Sequence, residues 1–224
     1  RSPEIDLFVI FIMSPDILQF KTPIILFGNG VIPKHPAVLN KISEANSILC
    51  VDGGVDKLEK NGHSPDLILG DLDSLIHDPG KYECDLIHLD DQSSTDLEKS
   101  LEWCFRRGIK DLSLVGFSGE RDDHTMAVLW TLLSNSHRMN LVLYSNYSTV
   151  QCTKDDASFN TFPGQIISII DPNKNTKITT QGLKFPLNNS ILNSPGHGIS
   201  NVAEGDQCTI QSTEWVWVFF NFAE

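Results

Sequence analysis

Leu67-Ile68-Leu69-Gly70-Asp71-Leu72-Asp73-Ser74 is a short apolar run that passes through one glycine into two carboxylates. An apolar run without polar alternation suits a strand covered on both faces, as in a parallel sheet. The pattern recurs along the first two thirds of the chain. Ile24-Ile25-Leu26-Phe27 runs into Gly28-Asn29-Gly30, and Ser47-Ile48-Leu49-Cys50-Val51 runs into Asp52-Gly53-Gly54. Leu112-Ser113-Leu114-Val115 leads into a loop at Gly116, and Leu141-Val142-Leu143-Tyr144 is a fifth run. Helix-period segments lie between them. Leu97, Leu101, Cys104 and Phe105 trace one buried face, and Met126, Leu129, Trp130 and Leu133 predict another. Gly108 stops the first of these helices. Strand and helix in alternation predict an α/β layer.

After Asn146 the helical period disappears. Residues 159–162, 165–170, 177–180, 207–211 and 214–220 read as strands, separated by turn signals such as Pro163-Gly164 and Glu204-Gly205-Asp206. The expected architecture is therefore a parallel-sheet α/β catalytic domain over residues 1–147 and an all-β sandwich domain over 148–224. The two join near residues 145–150, and residues 1–22 add an extra strand or a tail. Trp215 and Trp217 alternate with Val216 and Val218, which predicts ordinary sandwich core for the indoles.

The 224 residues suffice for a sizeable core without disulfides. Seventeen basic against 29 acidic residues give a net charge of −12. That balance argues against a nucleic-acid partner, which requires a basic surface, and against an anionic membrane surface. It permits an anionic small substrate if a cation stands between the two sets of negative charge. The apolar run from Leu7 to Met13 is far short of the ~20 residues a membrane helix needs. Five scattered cysteines with no CxxC pair predict reduced thiols in a cytoplasmic protein.

Chemistry gathers where the strands end. Asp52, then Asp71 and Asp73, then Asp90, Asp91 and Asp96, then Asp122 and Asp123 follow successive runs. Carboxylates brought together repel one another, and hard oxygen ligands without a His or Cys cluster point to magnesium, which works with phosphates. In an extended segment Asp71 and Asp73 face the same side and reach one ion; local turn formation is the simpler alternative. Thr95-Asp96-Leu97-Glu98 has the form of a capping box, and the same helix N-terminus offers free N–H groups to phosphate. Arg121, in Gly116-Phe117-Ser118-Gly119-Glu120-Arg121, suits forked pairing with phosphate oxygens. Asp123 suits a helix cap, and His124 reads as a structural histidine. No GxxxxGK[ST] motif occurs.

Taken in order, these segments resemble the thiamine pyrophosphokinase family. The pattern is carried by Val51-Asp52-Gly53-Gly54, Gly70-Asp71-Leu72-Asp73-Ser74, Asp91-Gln92 with Thr95-Asp96, and Gly119 to His124. Residues 182–187 (GLKFPL) and Ser200-Asn201 extend it into the tail. Three departures stand out: Glu120 where the family often has a second glycine, Val128 where an Asn is common, and Phe185 for a frequent Trp.

The resemblance implies transfer of pyrophosphate from ATP to the hydroxyl of thiamine, giving thiamine diphosphate and AMP. It implies a homodimer whose sites are shared between subunits. Asp71, Asp73 and Asp96 would hold Mg²⁺, and these three with Arg121 would form the catalytic set. Asn29, Gly30, Asp52, Gly53, Gly54, Thr95 and Arg121 would line ATP. Gln92, Asp123, Ser200 and Asn201 would meet thiamine. Two rival readings differ in their products. A haloacid-dehalogenase-like phosphatase would use Asp71 as nucleophile and Asp73 as acid/base and release phosphate. A non-catalytic thiamine or nucleotide sensor would bind without turnover.

Overall fold

The computed structural model describes residues 19–91 and 93–223. In chain order the elements are β1 (Ile24–Phe27), α1 (Pro36–Ser43), β2 (Ser47–Val51), α2 (Gly54–Lys60) and β3 (Leu67–Gly70). Then come β4 (Asp85–His88), α3 (Asp96–Arg106), β5 (Asp111–Val115), α4 (Asp122–Asn135) and β6 (Asn140–Tyr144). The remainder is β7 (Ser148–Asn160), β8 (Ile166–Ile170), β9 (Ile178–Gln181), β10 (Asn201–Val202) and β11 (Gln207–Asn221).

The first six strands are parallel, in the order β6-β5-β1-β2-β3-β4. Both faces of the central strands are buried, as the unbroken apolar runs require. Ile24 and Leu26 join one core with α3 and α4; Ile25 and Phe27 join another with α1 and α2. Each fully buried Leu or Ile in these layers contributes about 1.5–3 kcal/mol relative to exposure. The strand order reverses direction between β1 and β5, and ligands of open α/β sheets bind in the crevice at such a point.

The β-rich C-terminal region continues the same sheet. Ser145 to Tyr147 form a tight hairpin, closed by the Ser145 amide donating to the Ser148 carbonyl at 2.9 Å. β7 then pairs antiparallel with β6, so the join expected near 145–150 is a turn within the sheet. β7 and β11 pair along almost their whole lengths. The two strands expected at 207–211 and 214–220 are one strand, β11, with a register shift between Ser212 and Val216. β8 and β9 pair with different halves of its other edge.

Two sequence expectations are corrected here. On α4 the buried residues are Val128, Thr131, Leu132 and Asn135, while Met126 and Trp130 are half exposed. Val128, Leu132 and Asn135 follow i, i+4, i+7 spacing, so the helix presents that face to the sheet, with Leu129 and Leu133 at its edge. Trp217 lies with the α/β core, not with the β core that holds Val216 and Val218. Its indole Nε1 donates to the Leu129 carbonyl at 2.9 Å and its ring meets Trp130 edge-on. Because β11 buries Trp217 in one core and Val216 and Val218 in the other, it ties the two together. The expectation for residues 1–22 falls mainly outside the described residues.

Candidate active site

Four strand ends and one helix start build the site. Asp52 follows β2 in a left-handed conformation, φ +48°, which a non-glycine residue adopts only when its surroundings hold it there. Gly70 makes room for it. With φ +148°, a Cβ at Gly70 would lie 3.1 Å from the Asp52 Cβ. Gly54 is equally tight, since a Cβ there would stand 2.9 Å from the Gly28 backbone.

Asp71 and Asp73 converge, but not through the extended geometry expected. Leu72 has φ +64°, and the Asp73 amide donates to Asp71 Oδ1 at 3.4 Å. The segment is a turn, and Leu72 holds it by packing on the α1–α2 core. Beyond it, the buried Asp56 carboxylate accepts from the Ile76 amide and the Tyr82 hydroxyl, both at 3.3 Å, and so fixes the loop's return.

Asp52, Asp71 and Asp73 each bring a carboxylate oxygen within 4.8 Å of the others. Asp52 Oδ1 is buried and has no hydrogen-bond partner among the described residues. Burial raises the Asp52 pKa above the usual carboxylate range, and the charges of Asp71 and Asp96 add to the rise. Three hard oxygen donors, one of them orphaned, fit a divalent cation.

Asp96 stands beside this set rather than in it. Its Oδ1 lies 2.7 Å from Lys99 Nζ, and the same ammonium lies 3.5 Å from Asp71 Oδ2. Burial opposes the charge on Lys99, but Asp96 and Asp71 outweigh it and raise the Lys99 pKa. For Asp71 burial acts upward, yet the Asp73 amide and Lys99 together bring the pKa down. Lys99 is a site residue that the sequence reading missed. Its signal was present: a lysine three positions after Asp96 at a helix start faces the same way.

The α3 N-terminus is built as expected. Thr95 Oγ1 accepts from the Glu98 amide at 3.3 Å, and Glu98 Oε2 accepts from the Thr95 amide at 2.9 Å. Asp91 shapes the approach by accepting from Ser93 and Ser94, which pull its pKa down to about 2. Gln92 lies outside the described residues.

The loops after β1 and β5 meet at the reversal of strand order. Gly28 N donates to Val115 O at 2.8 Å, and Gly30 N to Gly116 O at 2.5 Å. Asn29, Gly30, Gly53 and Gly54 are thereby grouped at one end of the sheet. Arg121 and Asp123 pair in a fork, with contacts of 3.1 and 2.6 Å, and both are exposed. Asp123 therefore engages Arg121 while its Oδ1 also accepts from the His124 amide at 3.0 Å in the first turn of α4, and Arg121 itself holds the cap position. His124 is exposed rather than structural.

Ser200 and Asn201 stand elsewhere. They lie at β10, eight strands from β3 in the sheet order. That is roughly 35–40 Å measured along the sheet, at about 4.8 Å per strand. The Asn201 side chain is engaged with the backbone of Phe185: Nδ2 donates to its carbonyl at 2.7 Å and Oδ1 accepts from its amide at 3.0 Å. This fixes the backbone of Phe185, a residue that is 59% exposed.

Comparison with known proteins matches this organisation. Residues 38–143 match the family model for the thiamin pyrophosphokinase catalytic domain, and residues 148–217 match that for the thiamin pyrophosphokinase vitamin B1 binding domain. Thiamin pyrophosphokinase 1 of Caenorhabditis elegans is 28% identical over 170 residues, which are 68% of this chain and 69% of that one. The fold resembles the thiamine pyrophosphokinase crystal structure from Bacillus subtilis, with TM-score 0.75 and 20% identity over 90% of this chain and 99% of that one. It also resembles the enzyme from Candida albicans, with TM-score 0.77 and 14% identity over 89% and 88%. With the catalytic-domain and vitamin-binding-domain models matching in sequence order across most of its length, the chain belongs to the thiamin pyrophosphokinase family of enzymes.

Proposed function

We propose that this chain transfers pyrophosphate from ATP to the hydroxyethyl oxygen of thiamine in a Mg²⁺-dependent reaction. The oxygen bonds to the β-phosphorus, the bridge from that phosphorus to AMP breaks, and the hydroxyl proton is released. The products are thiamine diphosphate and AMP. The observation that carries this reading is the convergence of Asp52, Asp71 and Asp73 next to the sheet's reversal point.

A polyphosphate approaching a chain of charge −12 needs local neutralisation. Asp52, Asp71 and Asp73 would hold Mg²⁺, with Asp96 adjoining once Lys99 releases it. When bound, the ion supplies charge neutralisation at the phosphate oxygens. The chain's own groups do the rest by positioning. The α3 N-terminus at Thr95 offers backbone N–H groups. Asn29, Gly30, Gly53 and Gly54 allow close approach of the nucleotide to backbone, and Arg121 supplies a cation from the β5 loop.

Thiamine recognition is assigned to the other end of the sheet, at Ser200 and the Phe185 ring, with Asn201 setting the ring's position. Gln92 and Asp123 would meet thiamine from the catalytic side. The long path from Ser200 to Asp71 within one chain supports a homodimer whose site joins the carboxylates of one subunit to the Phe185 region of its partner. The cationic thiazolium of thiamine suits an acidic protein.

The test is a product assay with purified protein, ATP, Mg²⁺ and thiamine. AMP formed in step with thiamine diphosphate, and only with thiamine present, is the expected outcome. Free phosphate without AMP would replace this reading with a phosphatase. Ligand binding without turnover would replace it with a sensor.

A further inference from the structure

Lys57 lies on α2, outside every residue assigned above to metal, nucleotide or thiamine. Its ammonium meets three oxygens: the carbonyls of Asn29 and Gly30, the latter at 2.9 Å, and Glu120 Oε1 at 2.7 Å. An ammonium has three N–H donors, so all three are engaged. The oxygens belong to two loops on opposite sides of the β1–β5 reversal. Backbone bonds join those loops only part of the way, the last being Val31 N to Ser118 O at 3.1 Å. Glu120 lies beyond that point and one residue before Arg121. Lys57 closes the gap there.

We infer that Lys57 is a positioning residue, a clamp that fixes the Asn29–Gly30 loop against the loop carrying Arg121. The inference rests on the proposed ATP-dependent reaction. An exposed ion pair alone adds little to stability, and Glu120 is 57% exposed. The clamp's consequence is geometric. A polyphosphate spanning the two loops meets them at a set separation, and small misplacement of a positioning group is costly to rate. Thiamine, assigned mainly to Phe185 and Ser200, depends on that separation only through Asp123, which pairs with Arg121.

The experiment compares wild type with Lys57→Met, Lys57→Arg and Glu120→Ala. Peptide-resolved hydrogen exchange follows residues 28–34 and 116–121, and steady-state kinetics give kcat and both KM values. Lys57→Met should speed exchange in both loops together. It should raise the ATP KM by about tenfold and the thiamine KM by no more than about threefold. Lys57→Arg, which keeps charge and several donors, should return the ATP KM to within about threefold of wild type. Glu120→Ala retains the two carbonyl contacts and removes the third acceptor, so faster exchange should be confined to 116–121. Unchanged exchange at 116–121 in both Lys57→Met and Glu120→Ala would overturn the clamp. So would parallel rises in the two KM values, or a Lys57→Arg variant no better than Lys57→Met. If Lys57→Met does not fold, Glu120→Ala decides by the same exchange criterion. A wild-type protein that forms no AMP would refute the reaction, and the exchange data alone would then decide the clamp.

Discussion

Lys99 Nζ sits 2.7 Å from Asp96 Oδ1, with the lysine side chain only 5% exposed. The same ammonium reaches Asp71 at 3.5 Å, so one buried cation balances two of the carboxylates that crowd the site. A fixed cation here offsets the repulsion within the acidic cluster. It would also compete with a divalent cation for the same oxygens.

Replacing this cation separates the two roles. Lys99→Met leaves Asp71 and Asp96 facing each other without a counter-charge. Removing one member of a buried pair is strongly destabilising, and the partial exposure of Asp96 reduces the effect to about 1–2 kcal/mol. Urea unfolding without divalent ions should show that loss, and millimolar Mg²⁺ should restore part of it. Equal stability of variant and wild type without Mg²⁺ would remove Lys99 as the counter-ion.

Asp52 predicts the opposite trade. Its orphaned, buried Oδ1 and its left-handed backbone cost stability in the free protein. Asp52→Asn removes the charge while keeping the shape. The metal-free variant should be more stable than wild type by on the order of 1 kcal/mol. It should lose the Mg²⁺-dependent rise in Tm and at least ~100-fold in turnover. Asp71→Asn and Asp73→Asn should show the same losses of metal response and turnover. A calorimetric scan with and without Mg²⁺ checks the first part, and full retention of the Mg²⁺ shift would take Asp52 out of the metal set.

The parallel sheet and the strand-end carboxylates were legible because each motif is contiguous: an apolar run followed at once by Gly or Asp. What escaped depends on distant partners. The stretch Ser212-Thr213 looks like a break between strands, yet β7 pairs with β11 on both sides of it and the strand continues across a register shift. The Trp217 indole reads as sandwich core, and only its bond to Leu129, 88 residues away, shows which core it joins. The Asp71–Asp73 convergence was anticipated for a reason that does not hold, since the turn at Leu72 replaces the extended geometry. Glu120 stood out in sequence as a departure, while its partner Lys57, 63 residues earlier, gave no local signal.

The cysteines predict how stability and reactivity change with pH. All five are free. Burial pushes Cys84, Cys152 and Cys208 up to about 11 and Cys104 up to about 12, and raises Cys50 well above the ordinary thiol range. The folded chain therefore keeps these protons where the unfolded chain, near 8.5, releases them. Their stabilising contribution is complete below about pH 8.5 and is lost as pH rises toward 11. Stability should fall steadily across that window. At pH 8 the native thiols should react with a disulfide reagent at least roughly a hundredfold more slowly than the same thiols in denaturant. Rapid native labelling of two or more cysteines would contradict this burial.

Subunit sharing can be read from mixtures of two defective proteins. Asp71→Asn removes the carboxylate side of the proposed site, and Phe185→Ala removes the exposed ring proposed to meet thiamine, next to Asn201 on β10, eight strands from β3 in the sheet order. If each site joins the carboxylates of one subunit to the Phe185 of its partner, a mixed dimer contains one site with both defects and one with neither. Random reassortment makes half of the dimers mixed, so such a mixture should regain about a quarter of wild-type activity. Assayed at thiamine concentrations far below the KM of Phe185→Ala, neither parent approaches that level. Sites contained within single chains would give no gain, because every chain in the mixture then carries a defect in its own site. The gain should appear only after the variants have been dissociated and reassociated, which separates shared sites from a trace of wild-type contaminant.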